Sequence, residues 1–401
     1  MRVLLAYSGG LDTSYLVARL TRDAGHQVVT LAVDCGGWSE EERRALAERS
    51  RALGASEHLC VDAREELFER VLRWLLAANV RRGDVYPLCV GAERGLQAEI
   101  LARVARERAF DAVAHGCTAA GNDQIRFEAA LATIAPDLCV LAPVRDEAPS
   151  REDERRYLQE AALPTPPAGG RYSVNAGLWG LTIGGGPLHS SEARLPDDAW
   201  EWTRNGDGER VFRVGLENGI PCALDGVTLS PVTMIERLNR QAGALGVGRG
   251  YHLGDTVLGF KGRIAFEAPA AEVLLAAHRE LEKLVLTEEQ RFWKDHLGEV
   301  YGRRLHQGLF HDPFQRDLEA FFVSSQARVT GTARVRCAGG ATLVEGVSSP
   351  FSLLAATDAR YGERAASGAD PAAARGLARA LAEPARLYRR AGEPEPEAVR
   401  P

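Results

Sequence analysis

Seven residues near the start of the chain, Ser8-Gly9-Gly10-Leu11-Asp12-Thr13-Ser14, combine types that suit a bound phosphate. Two glycines let a backbone approach an anion closely. The apolar run Val3-Leu4-Leu5-Ala6 before them reads as a strand, and the residues after them read as a helix. The loop therefore presents free helix N–H groups and the positive end of the helix dipole. Ser8, Thr13 and Ser14 add hydroxyl donors, and Asp12 offers a hard carboxylate for a magnesium ion on the phosphates. The run is neither G-x-x-x-x-G-K-[ST] nor G-x-G-x-x-G. A second polar run, from His115 to Glu128, follows another strand-like stretch. It gathers an amide, an acid and a guanidinium (Asn122, Asp123, Arg126) within five residues.

The elements around these runs alternate. Val28 to Val33, His58 to Val61, Asp111 to His115 and Leu138 to Leu141 read as further strands. Ser39 with Glu42 forms a capping box for a helix closed by Gly54, and Leu96 to Arg108 has a helical apolar face. Such alternation predicts an α/β fold with an N-terminal doubly wound parallel sheet covered on both faces. Both polar runs then lie beyond the carboxyl ends of strands, where ligands of such sheets sit. Ser150 and Asp153 cap a further helix to Ala162, and the turn-rich connector Pro164 to Gly170 follows. Beyond it a second, α+β pattern is expected. Strands are predicted at Val211–Val214 and Cys222–Leu224, and helices at Pro231–Ala244, Ala271–Leu286 and Thr287–Leu297. A strand over Arg328–Cys337, interrupted at Gly331, pairs with Thr342-Leu343-Val344. A C-terminal helix runs from Pro371 to Arg390, with Pro384 a candidate kink, before a tail at Glu393-Pro394-Glu395-Pro396 that is expected to be disordered.

Composition excludes several classes. The 401 residues carry 49 Lys and Arg against 55 Asp and Glu, a net charge of −6, which disfavours wholesale binding to nucleic acid. No apolar run approaches the ~20 residues of a membrane span. The N-terminal apolar stretch is too short for a secretion signal, so a soluble cytoplasmic protein is expected. Seven cysteines without C-x-x-C spacing argue against a disulfide framework or a zinc ribbon, and the nine histidines form no ligand cluster.

The first loop resembles the pyrophosphate loop of ATP enzymes that cleave between the α and β phosphates. The second narrows the choice. His115-Gly116-Cys117-Thr118-Ala119-Ala120-Gly121-Asn122-Asp123-Gln124-Ile125-Arg126-Phe127-Glu128 resembles the H-G-x-T-G-K-G-N-D-Q-x-R-F-E run of argininosuccinate synthases. Tyr86-Pro87-Leu88, Ser150-Arg151-Glu152, Tyr172 to Trp179, Val329-Thr330-Gly331-Thr332 and Ser349-Pro350-Phe351-Ser352-Leu353 follow in that family's order. The resemblance implies an ATP-dependent C–N ligase that adenylates an acceptor oxygen, releases pyrophosphate, and lets the aspartate amine displace AMP. It implies ATP and Mg2+ at Ala6, Tyr7, Ser8, Gly9, Gly10, Leu11, Asp12, Thr13, Ser14, Val33 and Gly116. Aspartate falls to Thr118, Asn122 and Asp123, and the acceptor to Tyr86, Gly91, Asn122, Arg126, Ser173 and Thr182. Asp12 and Arg126 are the candidate catalytic groups. The implied organisation is a nucleotide-binding domain at 1–165, a synthetase and multimerisation domain at 171–365, and a helix and tail at 366–401 as an arm of a homotetramer. Cys117 reads as a small residue packed beneath a glycine turn.

The acceptor side departs from the family. Its Y-P-L-G-T-[SA]-x-A-R-P run stands here as Tyr86-Pro87-Leu88-Cys89-Val90-Gly91-Ala92-Glu93-Arg94-Gly95, with Val90 and Gly91 in place of hydroxyl-bearing residues. Gly254 replaces a glutamate, Phe266 a tyrosine and Ala120 a lysine. The acceptor is therefore citrulline, with Asp255 substituting for the missing acid, or a different ureido, amide or carboxylate compound. A catalytically weak nucleotide-binding paralogue with a regulatory role is the alternative.

Overall fold

Successive residues of the first strand face two different cores. Val3 and Leu5 pack with Leu16, Val17 and Leu158 on one side, and Leu4 packs with Leu31, Leu96 and Leu101 on the other, all essentially inaccessible to solvent. A strand buried on both faces has to be apolar at every position, which is what its sequence supplies. The computed structural model describes residues 1–167, 172–203, 206 and 208–392. Residues 168–170 of the connector and the tail at 393–396 lie outside the described residues. The chain divides into two units, Met1–Phe351 and Ser352–Pro401. The second carries the helix Pro371–Gly392, which runs through Pro384 at the loss of one backbone donor.

Within the first unit β1 (Arg2–Ala6), β2 (Gln27–Asp34), β3 (Glu57–Asp62), β4 (Ala112–Ala114) and β5 (Cys139–Leu141) form a wholly parallel sheet. Its order is β3-β2-β1-β4-β5, so the winding reverses between β1 and β4. Helices Leu11–Arg22 and Arg151–Glu160 cover one face, and Arg94–Glu107 and Asp123–Ile134 belong to the other. The two capping boxes form as their spacing predicts: Ser39 with Glu42, and Ser150 with Asp153. The stretch 64–77, which the alternation does not predict, is helical with a π-helical turn at Phe68–Leu72.

Two antiparallel sheets follow. Their strands are β6 (Ser173–Gly177), β7 (Gly180–Gly184), β8 (Glu209–Glu217), β9 (Ile220–Leu224), β10 (Val227–Thr228), β11 (Arg249–Asp255), β12 (Lys261–Glu267), β13 (Gly331–Ala338) and β14 (Ala341–Ser348). One sheet has the order β10-β9-β8-β13-β14 and the other β11-β12-β7-β6. Gly331 opens β13 and does not interrupt it. A Cβ there would lie 2.0 Å from the Ser348 carbonyl oxygen, so the close strand approach requires glycine.

A buried polar cluster ties the sheet's helices to the later ones. Lys294 Nζ donates to the Ala77 carbonyl (2.8 Å) and lies 3.1 Å from Glu282 Oε2. Asn79 and Gln326 each donate an amide N–H to Glu282, at 2.7 and 2.8 Å, and His278 bridges their two amide oxygens. The cluster fixes the end of the helix from which the segment 80–91 departs. We expect Lys294→Ala to cost about 3–5 kcal/mol, because it strands a buried carboxylate. Urea denaturation measures this, and a change below about 1 kcal/mol would show that the cluster is not what anchors the segment.

Candidate active site

The chain leaves β1 with Tyr7 N–H still bonded to Leu31 O (2.9 Å) and then turns. Gly9 takes φ +74°, and a Cβ there would lie 2.1 Å from Leu46 Cδ2. Both the backbone angle and the space demand glycine. Arg49 Nη1 holds the turn from outside, donating to Gly9 O at 2.8 Å. Thr13 Oγ1 donates to Gly10 O at 3.3 Å and lies 3.4 Å from Ser8 Oγ. Gly10 caps the helix Leu11–Arg22 without a side-chain acceptor, so the first-turn N–H groups keep their capacity for an anion. Gly116, just past β4, meets this loop: a Cβ there would lie 2.9 Å from Thr13 Cγ2.

The two loops thus come together at the point where the sheet reverses, and a cleft of about 750 Å³ opens over them. Ala6, Tyr7, Ser8, Gly10, Leu11, Asp12, Thr13, Val33, Gly116, Thr118, Asn122, Asp123, Arg126 and Ser173 line it. Gly9 and Ser14 are buried behind its wall. Gly91 abuts Arg126, and a Cβ on it would come within 3.0 Å of Nη1. Tyr86 is buried, with its hydroxyl donating to Cys89 O at 2.5 Å. Thr182 pairs across β7 with Asn175 of β6, a cleft residue, and with Phe266 of β12. Strand pairing puts Ser173, Asn175, Thr182, Phe266, His252 and Gly254 on one face of that sheet, while Leu181, Ile183 and Ala265 form a small core on the other.

Charge is concentrated where the helix Asp123–Ile134 begins. Asp123 receives Arg94 Nε on one oxygen (2.9 Å) and Arg126 Nη1 on the other (2.8 Å). Despite burial, those two guanidinium groups hold its carboxyl down at about 2. Arg126 also donates Nε to His306 O at 3.0 Å, while its Nη2 has no hydrogen bond among the described residues. Asn122 accepts from Val257 N–H through Oδ1 at 2.9 Å, which leaves its amide N–H groups for a ligand. Burial pushes the Cys117 thiol up to about 12, so it is inert at neutral pH, as its packed reading expects. Beside the phosphate loop, burial and then the neighbouring Asp12 raise the Glu154 carboxyl. Leu88 and Val90 both hold positive φ, +61° and +62°, a strain of about 1–3 kcal/mol each in the segment that ends at Gly91 against Arg126.

Several residues here escape sequence reasoning. Glu93 is buried beneath Gly177, whose Cβ would fall 1.9 Å from Glu93 Oε1. Arg82, His252 and His306 gather around Tyr86 and Arg126. The one available signal was strand alternation, which puts His252 on the same face as Gly254. That alternation also corrects one expectation. Asp255 is on the opposite face of β11 from Gly254, and it pairs with Lys261 at 2.6 Å. It does not occupy the place of the missing glutamate.

Burial, opposed by Arg94 and reinforced by Asp123, raises the Glu93 carboxyl from 4.5 to about 8. The folded protein then retains a proton that the unfolded chain releases. The stability linked to this group is complete below about 4.5 and is lost as the pH rises to about 8. Glu93→Gln should therefore match the parent near pH 4.5 and melt progressively higher than it up to pH 8.5. A melting difference that does not change with pH would contradict the buried neutral acid.

Comparisons with known proteins agree with this architecture. The family described as "Arginosuccinate synthase N-terminal HUP domain" matches residues 2–164, and "Arginosuccinate synthase C-terminal domain" matches residues 172–388. Argininosuccinate synthase of Methanocaldococcus jannaschii is 38% identical over 353 residues, 87% of this chain and 89% of that protein. The Symbiobacterium thermophilum enzyme is 38% identical over 392 residues, 96% and 97% of the two chains. The Hyperthermus butylicus enzyme is 39% identical over 357 residues, 88% and 89%. The chain belongs to the argininosuccinate synthase family of ATP-dependent carbon–nitrogen ligases.

Proposed function

We propose that this ligase joins aspartate to an acceptor other than citrulline. The reading is carried by one contrast: the nucleotide and aspartate side of the cleft keeps the family pattern, and the acceptor side does not. In the first step the acceptor oxygen bonds to the α-phosphorus of ATP as the bond to pyrophosphate breaks. In the second the aspartate nitrogen bonds to the activated carbon, and AMP departs with its oxygen. Ala6 to Ser14, Val33 and Gly116 bind ATP in this reading. Thr118 and the Asn122 amide donate to the aspartate carboxylates, and the ionised Asp123 attracts the ammonium. Arg126 offers Nη2 to the acceptor and the charge that develops there; Tyr86, Gly91, Ser173 and Thr182 complete its pocket. Positioning and charge neutralisation supply the rate, with no covalent help from the protein.

Asp12 and Glu154 are two hard oxygen donors beside the phosphates. Burial first, and then the Asp12 carboxylate beside it, raise the Glu154 carboxyl; a cation would offset both, so the pair fits Mg2+. The ion would neutralise phosphate charge. Among the described residues no helix is long and apolar enough to cross a membrane. The remaining elements of the proposal are a cytoplasmic homotetramer, a nucleotide-binding domain at 1–165, a synthetase domain at 171–365, and an oligomerisation arm at 366–401.

The deciding experiment is pyrophosphate release from ATP and aspartate, with and without citrulline, followed by mass spectrometry of the products. We expect little citrulline-dependent release, and an ordinary low KM for citrulline would overturn the changed acceptor. Nucleotide binding without AMP formation under any acceptor would instead favour a regulatory paralogue. Once an acceptor is in hand, Thr118→Ala should raise the KM for aspartate about tenfold, the value of one hydrogen bond to a charged group. An unchanged KM would remove Thr118 from the site.

A further inference from the structure

Three buried rings pack together next to Arg126, which lines the cleft. His252 stacks on Tyr86 with centroids 5.3 Å apart and planes at 23°, and the Phe266 ring lies tilted with its centroid 5.3 Å from that of Tyr86. The Phe266 ring crosses Gly250, whose Cβ would come within 2.2 Å of it. The Tyr86 hydroxyl is already spent on Cys89 O. The three buried rings therefore make this corner apolar.

The polar groups of this corner are basic. His252 is 8% exposed, and its Nε2 is buried without a hydrogen-bond partner. That nitrogen lies 2.4 Å from where a Cβ on Gly254 would be, so the imidazole fills the space that a side chain at 254 needs. The half-buried Arg82 forms no ion pair and no side-chain hydrogen bond among the described residues. It is close enough to Arg126 for that charge to be felt, with Asp255 opposing it from a greater distance than a salt bridge. Burial, then Arg126, lowers its affinity for its own proton, and the more distant Tyr86 and Asp255 only partly offset this. The acids nearby are committed: Asp123 to two arginines, and Asp255 to Lys261.

Resting on the ligase reading above, we infer that the acceptor's far end is a carboxylate with no ammonium beside it. Arg82 and His252 Nε2 recognise that carboxylate. An α-ammonium would meet the Arg82 guanidinium with no uncommitted acid beside it, and the site rejects it by that repulsion. A carboxylate there supplies the missing partner of both groups. The three rings favour an unbranched methylene chain leading to it. At the reacting end the ureido oxygen bonds to the α-phosphorus as pyrophosphate leaves. The aspartate nitrogen then bonds to the ureido carbon, AMP leaves, and the nitrogen sheds its extra protons to solvent.

The test compares kcat/KM, by aspartate-dependent AMP formation, for three acceptor types. They are ω-ureidoalkanoates with two to five methylenes, L-citrulline as the same skeleton with an ammonium, and pentylurea with neither charge. We expect the best ureidoalkanoate to exceed both others by about tenfold or more, the worth of a charge-assisted hydrogen bond. Arg82→Gln should collapse the ratio of ureidoalkanoate to pentylurea, mainly through KM. Preference for citrulline, or equal use of pentylurea, overturns the inference. Turnover of none of them, with ATP and aspartate still bound, overturns this head-group assignment and leaves the ligase reading in place. Failure to bind ATP overturns the ligase reading itself. Circular dichroism of Arg82→Gln separates a folding defect from lost recognition, and a second variant, His252→Phe, reads the same ratio with the ring stack kept.

Discussion

Two strands ending side by side govern the rest of this molecule. Because the winding reverses between β1 and β4, no helix crosses over their carboxyl ends, and the sheet leaves a crevice there. The loop after β1 and the loop after β4 must share that crevice, and they touch through Thr13 and Gly116. A side chain at 116 would push them apart. The helix dipole, the glycine turn and Asp123 of the second loop then face one cleft.

The second constraint is electrostatic. The cleft holds Asp123, Arg94 and Arg126 at close quarters, and each is tolerable only because the others are present. The arrangement prepares the site before any substrate arrives: an ionised acid faces one way and a free guanidinium nitrogen the other. It also explains why Glu93 stays neutral. The guanidinium of Arg94 is already engaged with Asp123, so a second buried carboxylate finds too little positive charge. Strain runs alongside charge, with Leu88 and Val90 held at positive φ in the segment that follows the Lys294 cluster.

How far the sequence could be read follows from which interactions are local. The capping boxes at Ser39 and Ser150, the strand β1 and the phosphate loop are each set by fewer than ten consecutive residues, so they are legible. Asp123 and Arg126 are legible because one helical turn brings them together. Arg82, His252 and His306 are not, because they meet only after the segment 80–91, β11 and the end of a helix at His306 are assembled. Gly331 and Asp255 mark the same boundary. A glycine that breaks a pattern and a glycine that opens a strand look alike until the partner carbonyl of Ser348 is placed. An acid one residue from a gap is useful only if the strand's alternation allows it.

That division also says which half of the site is free to diverge. The nucleotide side is made largely of backbone, namely N–H groups, glycine turns and a helix end, and side-chain changes there are constrained by packing at Gly9 and Gly116. The acceptor side is made of side chains from separate elements, each of which can change while the backbone stays. With glycine at 254 the pairing of β11 is regular and the His252 ring takes the space that a side chain there would need. Gly91, Gly254 and the unpaired Arg82 all lie on that side-chain-built half. A fold that fixes one half of its cleft through the main chain can vary the charges of the other half without moving the strands between them.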